Sequence, residues 1–390
     1  MSSSVLFRSD DGAIVLLDLP RSIEESQTEA TEPPASPPPP RSLPPRRLIS
    51  TEPPSIPFSL PEPKRPLYDA LPSAAAQVAQ LMAQAAVGRA LDRLRASHAG
   101  PWLLPRALRP SPSPGTVPDG GAEGSGLGSS RKRKVGALSP ATLRGPEQEQ
   151  GGQAEAEAEA EAEAEKEYFF PPKSCYILGS IEATRQAFVE SAPVFDLIVL
   201  DPPWPNRSAA RKKGSGRYNL AAGATEIRAL LSLIPVAAHL APDGMVAVWV
   251  TNKPAFTEIL TSLLNDEWGL ELIGEWAWLK VTSQGEPVFA LESEFRKPWE
   301  LLLVARRKGS SRTPPAGWDR RVLVAVPDVH SRKPNLRGIF REVLRPGFRG
   351  LEVFARNLVA GWWSWGDDVL CFQRRSHWVV AGQNEDQQHK

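Results

Sequence analysis

The sequence predicts an α/β protein built on a doubly wound, largely parallel sheet, and three observations carry that prediction. Phe195-Asp196-Leu197-Ile198-Val199-Leu200 is dominated by branched aliphatics without Gly or Pro, the pattern of a strand buried on both faces. The run stops at Asp201-Pro202-Pro203-Trp204. Two prolines with fixed φ and no N–H end the ladder there and force a stiff, extended exit. From about residue 170 onward, short aliphatic runs alternate with amphipathic helical patterns, as strand-helix units do. Open α/β sheets bind ligands where strands end, which marks Asp201, Asn252, Lys280 and Arg356-Asn357.

Composition confines the core to one part of the chain. The 40 prolines of the 390 residues lie mostly before residue 120, whereas the aliphatic runs crowd after about residue 170. A count of 46 basic and 45 acidic residues gives a formal charge of +1, so any attraction to nucleic acid must come from local patches. Two cysteines, Cys175 and Cys371, exclude a disulfide framework and a four-cysteine zinc site; no metal is expected. No run approaches 18 apolar residues and no signal-peptide pattern opens the chain, so a soluble intracellular protein is expected.

Taken in order, residues 1–30 hold two apolar runs around Asp10-Asp11-Gly12, a short β-hairpin that would be marginal alone. Residues 31–69 are Pro-rich and read as disordered. Residues 70–97 carry Leu71, Ala74, Val78, Leu81, Met82, Ala85, Leu91 and Leu94 at helical spacing, with Ser73 as N-cap, and predict an amphipathic helix that docks on the core, on a protein partner or on itself. Residues 98–166 read as a low-complexity linker. Its Arg131-Lys132-Arg133-Lys134 reads as a nuclear-localisation signal, against a merely solubilising charge run.

Residues 167–390 form the globular part. Strands are expected at Ser174–Leu178, Phe195–Leu200, Met245–Val250, Leu270–Val281, Glu300–Val304, Val322–Val326, Leu351–Phe354, Val369–Phe372 and Trp378–Val380. Helices are expected from about Gly179 to Glu190, around Ile227–Ile234, after Pro254, and over Leu336–Leu344 before Pro346-Gly347. Ala241-Pro242-Asp243-Gly244 reads as a turn.

Asp201-Pro202-Pro203-Trp204 at a strand end, followed by Ser331-Arg332-Lys333-Pro334 and Glu352-Val353-Phe354-Ala355-Arg356-Asn357, resembles the DPPW-type N6-adenine methyltransferases. Tyr168-Phe169-Phe170-Pro171-Pro172-Lys173-Ser174, Trp249-Val250-Thr251-Asn252, Lys297-Pro298-Trp299-Glu300 and Gly361-Trp362-Trp363-Ser364-Trp365-Gly366 resemble its methyltransferase-like protein 4 group. The likeness covers about residues 168–381. It implies a Rossmann-like methyltransferase sheet, S-adenosylmethionine as cofactor, and adenine N6 as acceptor. By the same implication the substrate is RNA, an internal 2′-O-methylated adenosine of spliceosomal small nuclear RNA, with DNA adenine as the alternative and a nucleic-acid-binding pseudoenzyme as the reading from another class.

The chemistry accounts for these residue types. An exocyclic adenine amine is a weak nucleophile, so transfer needs acceptors aimed at its hydrogens and at the positive charge that develops on nitrogen; Asp201 and the Pro202 carbonyl are those acceptors, held by Pro203. Trp204 is expected to stack the extruded base. The resemblance assigns Lys333 to the methionine carboxylate, Arg356 and Asn357 to the ribose region, Gly179-Ser180-Ile181 to the cofactor adenine, and Asp367-Asp368 to the ribose hydroxyls. Ser180 stands where relatives carry an acid, and Asp367 where they carry an amide. On the residues alone, Lys333 as a surface charge and Arg356 as a strand-end ion-pair partner remain open.

For the nucleic acid, Asn206, Arg207, Arg211, Lys212, Lys213, Arg217 and Tyr218, with Asn219, make a basic loop beside the expected base pocket. Phosphate contact and a solvated loop are the two readings, and adjacency to Trp204 favours the first. Arg306, Arg307, Lys308 and Arg312 form a second patch with both readings equal. His330 reads as a neighbour of the Lys333 loop rather than a catalyst.

Overall fold

The computed structural model describes residues 3–29, 46–59, 73–108, 167–205, 223–293 and 296–380. The N-terminal part contributes β1 (Val5–Arg8), β2 (Ile14–Leu17), α1 (Leu19–Ser26), β3 (Arg46–Ser50), α2 (Ala74–Ser97) and β4 (Ala107–Leu108). There follow β5 (Cys175–Leu178), α3 (Ile181–Ser191), β6 (Phe195–Leu200), α4 (Ala224–Ser232), α5 (Val236–His239), β7 (Leu240–Val250) and α6 (Pro254–Ser262), which runs into a π-helical turn at Leu263–Glu267. The remainder is β8 (Leu270–Lys280), β9 (Trp299–Arg307), β10 (Val322–Ala325), α7 (Arg337–Phe340), β11 (Gly350–Val353), β12 (Trp363–Gly366) and β13 (Trp378–Val380).

Ten of these strands make one sheet in the order β1-β2-β10-β8-β9-β7-β6-β11-β12-β5. The pairings set β1 and β9 against the other eight, whose carboxyl ends therefore share one rim. β6 sits between β7, to which the chain runs directly, and β11, to which it returns much later. That reversal of strand order is where such sheets hold ligands.

β6 shows why the sheet is buried on both sides. Ile198 and Leu200 enter one core with Ile181 and Phe188 of α3, Ile227 and Leu231 of α4 and Leu260 of α6. Leu197 and Val199 enter the other, with Leu19 and Ile23 of α1, Trp276, Ile339 and Phe340. Successive side chains point to opposite faces, so a strand covered on both must be apolar throughout.

The structure departs from the sequence expectations in several places, first in that Arg46–Ser50 and Ala107–Leu108, within the stretches read as disordered and as linker, form β3 and β4, with β3 paired to β13. The N-terminal hairpin is not free-standing: Ile14, Val15 and Leu16 pair in parallel with Val322, Leu323 and Val324, extending the sheet. β2 is buried along its whole length, which explains its unbroken aliphatic run. The turn expected at Ala241–Gly244 lies within β7, where a register irregularity opposite Phe195–Leu197 absorbs the glycine. Val369–Phe372 is a turn rather than a strand, and the strand lies earlier, at Trp363–Gly366. The helix expected over Leu336–Leu344 is regular only at α7 and continues as turns.

α2 begins where expected, with Ser73 Oγ accepting from Ala76 N at 3.2 Å. Its second half packs Val87, Leu91 and Leu94 onto β2, β8 and β10. Its first half leaves Val78, Leu81 and Met82 exposed.

Candidate active site

β6 delivers Asp201 to the shared rim. Leu200 pairs with Val353 of β11 and Val248 of β7, and the Asp201 N–H still reaches the Val353 carbonyl at 3.3 Å before the prolines end the ladder. The Trp204 N–H donates to the Pro202 carbonyl at 2.8 Å and tightens the turn. That carbonyl, expected as an acceptor for the target amine, keeps only its second lone pair for such use.

Two cations from other segments meet the buried Asp201 carboxylate. Arg356 Nη1, just past β11, lies 2.9 Å from Oδ2. Lys333 Nζ, from the loop between β10 and α7, lies 3.1 Å from Oδ1 and 3.2 Å from Oδ2. Lys333 also reaches Glu300 Oε2 at 3.2 Å, and Lys280 Nζ at the end of β8 reaches Glu300 Oε1 at 2.5 Å. Because β9 runs backwards, its first residues, Glu300 among them, lie on the rim where the other strands finish.

This chain of alternating charge sets the protonation states. Burial opposes ionisation of Glu300, yet Lys333 and Lys280 together hold its carboxyl at about 2. Burial likewise opposes the charge on Lys333, and Asp201 and Glu300 more than offset it, so the ammonium is raised from its ordinary value. Glu352 on β11 is pushed the other way: burial, then the neighbouring Asp201 charge, raise its carboxyl to about 7. His330 is lowered by burial and by the Lys280 and Lys333 charges, which favours a neutral ring, and its Nδ1 lies 2.8 Å from Ser331 Oγ.

Asp201, Lys333, Arg356 and Asn357 line one cavity together with Glu352 and Trp249. With both cations folded onto Asp201 it holds about 20 Å³. Two non-glycine residues with left-handed backbone frame it, Phe354 at φ 59° and Ser331 at φ 74°. Such conformations persist where the surroundings over-determine them, and they gather at functional sites.

The other expected cofactor residues collect at the ends of β5 and β12 and do not line that cavity. The Gly179 N–H donates to the Gly366 carbonyl at 3.1 Å, joining the two strand ends. Gly179 has φ 148°, and a Cβ there would stand 2.7 Å from Thr184 Cγ2, so only glycine fits. Ser180, expected to accept from the cofactor adenine, is the N-cap of α3 and accepts from Ala183 N at 3.2 Å. The Ile181 side chain is in the core, which leaves its backbone to border a ligand. Burial, then the Asp368 and Glu182 charges, raise the Asp367 carboxyl above its ordinary value.

Trp204 is not an open stacking platform. Its indole is buried against Phe256, ring centroids 5.1 Å apart, and Nε1 donates to the Trp249 carbonyl at 2.7 Å. A backbone acceptor at the end of β7 and an aromatic partner on α6 hold it in the wall. The second basic patch is also accounted for: Arg306 pairs with Glu271 at 2.7 Å, Arg307 donates to the Leu240 carbonyl at 2.6 Å, Lys308 to Asn265 at 3.0 Å and Arg312 to Asp243 at 3.0 Å. Arg306 and Arg307 end reversed β9 and Lys308 and Arg312 follow it, on the rim opposite Asp201. Asn206, Arg207, Arg211, Lys212, Lys213, Arg217 and Tyr218 lie outside the described residues.

Glu300 and Glu352 were not singled out from sequence. The available signal was a carboxylate inside an otherwise apolar strand, Trp-Glu-Leu-Leu-Leu and Gly-Leu-Glu-Val. Ionisable groups in such strands need partners or an unusual environment.

The MT-A70 family model matches residues 195–368. The N6-methyladenosine RNA methyltransferase MTA1 of Pyricularia oryzae is 50% identical over 392 residues, covering 98% of each chain. The protein of the same name from Cryphonectria parasitica is 46% identical, covering 97% of this chain and 95% of that one. The N(6)-adenine-specific methyltransferase METTL4 of Mus musculus is 36% identical over 225 residues, 55% of this chain and 46% of that protein. Fold, site and relatives define the class, an S-adenosylmethionine-dependent methyltransferase. The chain belongs to the MT-A70 family of N6-adenine methyltransferases.

The residues present fit that cofactor. Lys333 and Arg356 are two cations converging on one carboxylate, as the amino-acid end of the cofactor requires. Asp201 and Glu352 set acidic groups beside them, and the Gly179–Gly366 junction is a close backbone approach between two glycines.

Proposed function

We propose that this protein methylates the N6 nitrogen of adenosine in RNA, and one observation carries the reading above the rest. Asp201 leaves a buried strand through two prolines and is clamped by Lys333 and Arg356, so its carboxylate is aimed before any substrate arrives. A fixed acceptor costs no reorganisation when charge develops on the amine.

Roles then follow for the chain's own groups. Lys333 and Arg356 would hold the cofactor's carboxylate through N–H groups not used on Asp201, which stays clamped. Asp201 accepts from the target amine with its remaining lone pairs. Asp367 and Asp368 hold ribose hydroxyls, and the Gly179-Ser180-Ile181 backbone borders the adenine. The bound cofactor supplies an electrophilic methyl group on a sulfonium centre. The basic stretch from Asn206 to Tyr218 holds the phosphates of the strand that carries the target.

RNA is favoured over DNA because the two relatives matched along nearly their whole length are named RNA methyltransferases. A relative from Caenorhabditis elegans named DNA N6-methyl methyltransferase is 31% identical over about half the chain. The narrower substrate, an internal 2′-O-methyladenosine of small nuclear RNA, rests on the likeness to the methyltransferase-like protein 4 group. A nuclear site of action rests on Arg131–Lys134, outside the described residues, and a protein partner on the exposed half of α2.

The test is incubation with labelled S-adenosylmethionine and matched oligomers carrying adenosine, 2′-O-methyladenosine or deoxyadenosine. Label on either ribose-containing oligomer and little on the deoxy one is expected, and the better of the two ranks the narrower substrate. Label on the deoxy oligomer alone, or on none, overturns the RNA reading.

A further inference from the structure

Lys333 sits on an irregular loop between Val326 and Arg337, tied internally by the Arg332–Asp328 pair and by the Arg332 N–H to the Val329 carbonyl at 3.1 Å. Ser331 is in a left-handed conformation at φ 74°, which a non-glycine residue adopts at a cost. Besides Asp201, Glu300 and Arg356 at the site, several partners of the loop come from the first 108 residues, all before the part matched by the family model.

The contacts fall at both ends of the loop. At the start, Asp328 Oδ1 accepts from the Thr51 N–H at 2.8 Å and from Thr51 Oγ1 at 3.1 Å. Arg106 Nη2 donates to the Val326 and Pro327 carbonyls at 3.1 and 2.9 Å. Arg332, beside Lys333, bridges Asp328 Oδ2 at 2.7 Å and the Ile49 carbonyl at 2.8 Å, and the Asp328 and Arg332 side chains are fully buried. At the far end, Ser22 Oγ on α1 accepts from the Asn335 N–H at 3.0 Å. Arg337 donates to the Glu25 and Thr28 carbonyls at 2.6 and 2.9 Å.

We infer that the N-terminal segment is the positioning element for the Lys333 loop: Ser22, Ile49, Thr51 and Arg106 bracket it at both ends and so fix the ammonium on Asp201 and Glu300. These are positioning residues, since each acts through the loop. The inference rests on the reading of Lys333 as a cofactor ligand. It differs from a stability role in its readout, because loosening the bracket weakens cofactor binding without unfolding the sheet.

Ser22→Ala is the sparing variant. It removes the acceptor for Asn335 N–H and leaves the buried Arg332–Asp328 pair intact, while Ser22→Thr restores a hydroxyl. Arg106→Lys probes the other end. On the full chain, S-adenosylmethionine binding is measured by titration calorimetry, exchange of the 329–336 amides by mass spectrometry, and melting by circular dichroism. Ser22→Ala and Arg106→Lys are expected to bind the cofactor about threefold to tenfold more weakly, to exchange those amides at least tenfold faster, and to keep far-ultraviolet spectra of wild-type shape, with Ser22→Thr recovering both losses. Wild-type affinity in both variants, or exchange that rises equally across the whole sheet, overturns the inference. If the wild-type chain binds no cofactor, the functional reading falls instead, and the exchange pattern still decides whether the bracket holds the loop.

Discussion

Asp201 and Arg356 are 155 residues apart in the chain and 2.9 Å apart in the fold. The parallel pairing of β6 with β11 brings them together, and the distance shows that the acidic group proposed to meet the substrate is held before substrate binds.

Asp201→Ala is expected to lower the methylation rate at least about 10²-fold to 10³-fold, the usual cost of losing one aimed electrostatic group. The fold survives, because Lys333 keeps Glu300 and Arg356 keeps the Ser331 carbonyl at 3.2 Å. Label transfer to an RNA oligomer and a circular dichroism spectrum check the two halves. A wild-type rate would remove Asp201 from the mechanism.

Glu352 makes stability depend on pH with a definite sign. Its carboxyl is raised from 4.5 to about 7 in the folded protein, so its contribution is complete below 4.5 and is lost as pH rises through 7. The loss between pH 5 and pH 8 is at most about 3 kcal/mol from this group. Glu352→Gln should flatten that slope in urea titrations. Glu300, held at about 2, acts oppositely: its contribution is present above 4.5 and disappears as pH falls toward 2. An identical slope in Glu352→Gln would show that the group is ionised throughout.

Gly179→Ala meets both a left-handed φ of 148° and Thr184 Cγ2 at 2.7 Å. The expected cost is about 1–3 kcal/mol of local strain, read as roughly tenfold weaker cofactor binding or more. Thr184→Ser removes the clashing methyl and retains the hydroxyl that accepts from Trp365 Nε1 at 2.7 Å. Adding it to Gly179→Ala should restore part of the affinity, the remainder being the backbone's share. Calorimetry on the two variants measures both.

Trp204→Phe removes the donor to the Trp249 carbonyl and leaves that buried acceptor unpaired. A loss of about 1–3 kcal/mol of stability is expected, with the preference among target bases unchanged. Denaturant unfolding beside a panel of oligomers tests it; a shift in base preference at wild-type stability would return the indole to the substrate.

Asp201 was legible because its signal is local: an unbroken aliphatic run ended by two prolines. Lys333 was legible only through resemblance, since a lysine before proline is common, whereas Arg356 was also marked by its place at a strand end, where it pairs with Asp201. Glu300 was hidden by the direction of β9, as no local pattern says that one strand among parallel neighbours runs backwards. The join of β2 to β10 was hidden by separation, because parallel partners in distant segments leave no turn between them to read. Trp204 was misread because an indole at a strand exit looks the same in sequence whether its N–H finds a base or a backbone carbonyl.

The pairing of Ile14 with Val322 has a consequence for biosynthesis. At about 5–20 residues per second, the ribosome makes β10 roughly 15–60 s after β2, so an aliphatic strand waits with an open edge for much of translation. A fragment starting at residue 167 would invert the problem and leave β10 as the bare border, a template for any passing extended chain. Expression of the catalytic half without its leading segment should therefore yield inclusion bodies, however complete its active-site residues.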